Sequence, residues 1–140
     1  MTEFEMISTL QGYNNIGIAI VMNFFTVLTA YLAAGYLSAH TLTRGMAAFV
    51  TAMFVVLSMV FVLAASNNAT ATNHLLVEMV KFAKAGKGLA WGNWASMSVE
   101  NFTIGAVVVT TVLLAIMIGG VIAGVYFFYD CRKRSLQASS

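Results

Sequence analysis

Apolar positions along this chain gather into three long runs, about 16–37, 45–65 and 104–128, each near the ~20 residues that cross a ~30 Å hydrocarbon core. Such runs predict membrane-spanning helices, because inside lipid every backbone polar group must find its partner within its own segment. Only Ser38-Ala-His-Thr-Leu-Thr-Arg44 separates the first two runs. A link that short forces an antiparallel helical hairpin, with Thr41 or Thr43 capping the second helix. Thr2 and Glu5 have capping-box spacing, so a helix is expected almost from the first residue. Gly12-Tyr-Asn-Asn15 then marks a bend or the membrane surface.

The long polar connection from Ser66 to Thr103 carries its own pattern. Leu75, Leu76, Met79, Phe82 and Ala83 recur at helical spacing opposite His74, Glu78, Lys81 and Lys84. This predicts a short amphipathic helix at about 73–85, capped by Thr72 or Asn73 and ended by Gly86, with its apolar face in the membrane interface. Trp91 and Trp94 read as interfacial anchors, since indole is apolar but its N–H needs a partner. The third helix is expected from near Ser98, with Glu100 in its first turn, and leaves the membrane through a belt at Tyr126 and Tyr129. The expected fold is an all-α integral membrane protein: three transmembrane helices plus one interfacial helix between spans two and three. Residues 1–140 form a single membrane domain.

Composition sharpens this picture. The chain is 60% hydrophobic and 9% charged with no proline, and its mean hydropathy is +0.86, whereas a soluble domain carries roughly 25% charged residues. The net charge of +2 is dominated by the consecutive Arg132, Lys133 and Arg134, which is membrane-flank chemistry and too little for a nucleic-acid surface. With the N-terminus outside, four basic residues (Arg44 and the triplet) lie inside against Lys81, Lys84 and Lys87 outside. That orientation, in a bacterial inner membrane with a cytoplasmic C-terminus, is the expected one. The acidic start lacks the positive residues of a signal peptide, so the first apolar run is expected to be retained. Cys131, the single cysteine, forbids an intrachain disulfide. Beside the basic triplet it is a palmitoylation candidate in a eukaryotic host. Asn68-Ala-Thr70 and Asn101-Phe-Thr103 match the glycosylation pattern.

None of the three runs contains Asp, Glu, His, Lys or Arg. Proton relays, voltage sensors and most ion-coupled pumps need such a group at span depth, and intramembrane hydrolysis needs a base there. A non-enzyme is therefore expected, with no catalytic residue, cofactor or metal site. His40 and His74 fall on opposite membrane sides, and Met22, Met53, Met59 and Met117 lack a nearby Cys or His, so core filling explains them. The third run holds the clearest pattern: Thr111, Ala115, Gly119 and Ala123 at four-residue spacing, beside a Gly120-Val-Ile-Ala-Gly124 motif. Small residues let helix backbones approach closely in lipid. This interface serves either the chain's own helices or another subunit. Asn23 and Thr26 in the first run, with Thr51 and Ser58 in the second, form polar intramembrane faces suited to interhelical hydrogen bonds, a narrow pore or a lipid-accessible groove.

Two functions fit these features. The first is a non-catalytic accessory or scaffold subunit of a membrane assembly, whose partners are the bilayer and other membrane subunits or copies of itself. The second is a homo-oligomeric pore. In its three spans, outside N-terminus and basic tail Arg132-Lys-Arg134, the chain's general plan resembles the holins, small phage proteins that open membrane lesions. The long connection after the second span departs from their compact plan.

Overall fold

The computed structural model describes residues 2–38, 41–87 and 99–138. These residues form three helices: α1 (Glu3–Ser38), α2 (Arg44–Phe82, continued by a π-helical turn at Ala83–Lys87) and α3 (Val99–Ala138), with no strand among them. All three are long and apolar enough to cross a membrane. Every pair is in contact. Met6 near the start of α1 packs on Leu75 and Met79 near the end of α2, so this pair is antiparallel. Phe24 meets Met117, and Tyr31 meets Phe128, so α3 runs parallel to α1.

Local signals set the helix starts. Thr2 N–H donates to Glu5 Oε2 at 2.7 Å while Glu5 N–H donates to Thr2 Oγ1 at 3.3 Å, closing the expected capping box. Of the two candidate caps for α2, Thr43 fills the position, its Oγ1 accepting from the Met46 N–H at 3.3 Å. Thr41 instead bonds the Ser38 carbonyl at 2.9 Å.

Three layers of side chains form the core. Nearest the α1–α2 turn, Tyr31, Ala47, Phe54 and Phe128 are buried together. Phe24, Ala65 and Met117 form the next layer, and Met6, Leu75 and Met79 the last. Large apolar side chains outside these layers point outward, among them Phe49, Val109 and Ile122, each about two-thirds exposed. In water that would be an aggregation surface, whereas in a bilayer it is the ordinary lipid face.

The third layer corrects the expected short interfacial helix. α2 runs unbroken from Arg44 through residue 82, so Thr72 and Asn73 sit inside a helix rather than capping one, and Gly86 lies within the π-helical turn. Likewise α1 passes through Gly12-Tyr-Asn-Asn15 without interruption. At 1.5 Å per residue these helices reach about 54 and 58 Å, well beyond the ~30 Å of hydrocarbon. α1 and α2 stay packed together over this length. The amphipathic pattern is real, since Leu75, Met79 and Ala83 are buried while His74, Glu78, Lys81 and Lys84 are exposed. What covers the apolar face is α1, through Met6, Ile7 and Leu10, in place of lipid. An Asn68 Nδ2 bond to the Tyr13 carbonyl at 3.2 Å stitches α2 to α1, and it engages the atom that a glycan would use.

Candidate functional site

α3 presents small residues on two different sides, and the helical period separates them. Gly120 and Gly124 face α1. A Cβ built on Gly124 would lie 3.1 Å from Leu28 Cδ1, and one on Gly120 would lie 3.4 Å from Leu28 Cδ2. Leu28 thus fits over the gap the two glycines leave, so the Gly120–Gly124 motif packs the chain's own helices. Gly35 does the same in reverse, its absent side chain admitting Phe128, whose Cδ2 would stand 2.9 Å from a Cβ there.

The four-residue stripe faces elsewhere. Thr111, Ala115, Gly119 and Ala123 are all exposed, and a Cβ on Gly119 would meet nothing within 4 Å. Successive steps of 100° place Gly119 roughly opposite the buried Met117, Phe128 and Gly124. Thr111 Oγ1 donates to the Val107 carbonyl at 2.8 Å, so the stripe carries no unpaired hydroxyl there and stays smooth.

The polar positions of α1 and α2 also divide. Thr26 Oγ1 bonds back to the Met22 carbonyl at 2.9 Å. Thr51 lies 2.9 Å from the Tyr31 hydroxyl, a bond between spans one and two. Ser58 is 1% exposed and its hydroxyl has no partner. It lies at the base of an apolar cleft of about 260 Å³ between α2 and α3, flanked by Met59 and Ile122. Asn23 points outward from α1, so its amide is presented at the surface rather than to α2.

At the α1–α2 turn end, Arg132 Nη1 donates to the Thr43 carbonyl at 3.2 Å, clamping α3 to the turn. Arg134 Nη2 pairs with Asp130 Oδ2 at 2.9 Å, with the guanidinium largely in solvent. Lys133 is exposed, as are Tyr126 and Tyr129. Cys131 is half-buried and unbridged. Trp91, Trp94 and His40 lie outside the described residues. Among the described residues, no three of His, Cys, Asp and Glu converge as metal ligands would. Sequence reasoning missed the aromatic cluster of Tyr31, Phe54 and Phe128, in which one ring from each span stacks. The only signal was aromatic content at mid-span, which does not reveal pairing.

Comparison with protein-family models, with curated proteins and with solved structures finds no match to this chain.

Proposed function

We propose that the chain is a non-catalytic integral membrane subunit, an accessory or scaffold component that joins a larger assembly through the outward stripe of α3. The observation carrying this reading is the division of α3: Gly120 and Gly124 serve internal packing, while Thr111, Ala115, Gly119 and Ala123 remain uncovered on the other side. Lipid supplies no hydrophobic drive between helices, so close backbone approach at small residues is what lets one span recognise another. The partners are other membrane subunits or further copies of the chain. The setting is a bacterial inner membrane with the N-terminus outside, Arg132, Lys133 and Arg134 holding the last span to the cytoplasmic face. Tyr126 and Tyr129 anchor that face.

Native mass spectrometry of the protein, extracted gently from its source membrane, tests this directly. Unrelated chains at fixed stoichiometry support the accessory role, and large homo-assemblies that leave liposomes sealed support the scaffold. A monomer with no companion overturns both. A second reading, the homo-oligomeric pore, is favoured by the exposed Asn23 amide at span depth, which copies of the chain could turn toward a common water-filled axis. Ion leak from liposomes that Asn23→Leu alters, in an assembly of unchanged size, is its signature.

A further inference from the structure

We infer that the flank between α1 and α3 at the α1–α2 turn end is a binding site for an anionic phospholipid. An apolar groove of about 430 Å³ runs between Leu28 and Leu32 of α1 and the Gly120–Ala123–Gly124 side of α3. Gly120 and Gly124, against which Leu28 packs, form part of its wall. The groove does not end in hydrocarbon. Phe127 and Asp130 line both it and a second cavity of about 600 Å³, which opens on Tyr36, Cys131 and Arg134. Both volumes lie within the ~300–1,000 Å³ of small-molecule sites.

The order of chemistry along this flank is that of a phospholipid. Aliphatic walls suit an acyl chain, and the two tyrosines at its mouth, Tyr36 and Tyr126, are about three-quarters exposed and carry phenols at headgroup level. Arg134 supplies the charge. One face of its guanidinium holds Asp130, at 2.9 Å, while the side chain remains 79% exposed, and a planar fork with five donors has others left for a phosphodiester. Arg132 is not part of this site, because its Nη1 is turned to the Thr43 carbonyl. The Asp130 carboxylate repels a second negative charge, so it aligns Arg134 and also limits the affinity. This site requires no partner subunit, and it shares only Ala123 with the outward stripe.

The test is native mass spectrometry of delipidated full-length protein in detergent, titrated with an equimolar mixture of phosphatidylglycerol and phosphatidylcholine. The wild type should retain phosphatidylglycerol about fivefold over phosphatidylcholine, the preference expected of one basic side chain at a membrane surface. Arg134→Gln should bring the ratio to about one, while Arg132→Gln should leave it unchanged. Ala123→Leu, at an exposed position on the groove, should reduce retention of both lipids without altering helicity by circular dichroism. Equal retention by the wild type overturns the inference, as does a preference that survives Arg134→Gln or falls equally with Arg132→Gln, which would mark a diffuse charge effect.

Discussion

The Tyr31 ring lies flat against that of Phe54, centroids 3.9 Å apart and planes 2° from parallel. Phe128 also stacks on Tyr31, at 4.9 Å, so one side chain couples all three spans. Tyr31→Ala should destabilise the bundle by about 3–5 kcal/mol, the range for removing a buried aromatic. Tyr31→Phe keeps both stacks and loses only the Thr51 bond, at a cost of roughly 0.6 kcal/mol, the average for an interhelical hydrogen bond in a membrane. Reversible unfolding in mixed micelles measures both, and equal losses would show that the hydroxyl, not the ring, holds the helices.

Two glycine substitutions should move stability in opposite directions. Gly35→Ala drives a methyl to 2.9 Å from Phe128 Cδ2 in a buried layer, while a methyl at Gly12 meets nothing within 4 Å. Overpacking costs about 1–3 kcal/mol, whereas replacing an exposed helical glycine by alanine gains up to about 1 kcal/mol. Thermal unfolding should therefore fall for Gly35→Ala and rise for Gly12→Ala.

Gly124→Leu and Gly119→Leu separate folding from assembly. The first forces a branched side chain onto Leu28, already 3.1 Å from a Cβ at that position, and should lower unfolding midpoints and loosen the monomer. The second enters open space and should leave the monomer's melting curve unchanged while it detaches the partner during co-purification. Unchanged co-purification of Gly119→Leu would remove the stripe from the assembly surface.

The first turn of α1 should respond to acid. Bonds to Glu5 from the Thr2 backbone N–H, and then from the Thr2 hydroxyl, hold the carboxyl below its usual value of 4.5. A depressed native value means that the carboxylate form stabilises the turn above the unfolded value, and that this contribution disappears as pH falls through the lower native one. Amide exchange at Glu5 and Met6 should therefore speed up selectively below about pH 4 once intrinsic acid-dependent rates are divided out. Thr2→Ala, which removes the hydroxyl but keeps the backbone N–H, should shrink the difference without abolishing it, and Glu5→Gln should abolish it.

The features legible in advance are those whose causes are local. The capping box needs only Thr2 and Glu5, and the Thr43 cap needs only a hydroxyl before Arg44. The amphipathic face of Leu75, Met79 and Ala83 was legible as a surface in need of cover, but lipid and a neighbouring helix satisfy hydrophobic periodicity equally. Met6, Ile7 and Leu10 of α1 provide the cover, and with that support α2 continues past the point where a polar connection was expected. The polar sequence at Gly12-Tyr-Asn-Asn15 likewise stays helical, held from the side by Asn68.

From residue order alone, this protein is three spans with an early hairpin, because transfer of long uncharged apolar runs into lipid and the shortness of the 38–44 link depend on nothing distant. The division of labour on α3 was decided only in three dimensions. Gly119 and Gly120 are adjacent, share the same chemistry and belong to overlapping four-residue repeats, yet Gly120 receives Leu28 while Gly119 faces outward. A turn of 100° between neighbours separates them, and the orientation of that turn is set by where Tyr31, Phe54 and Phe128 stack.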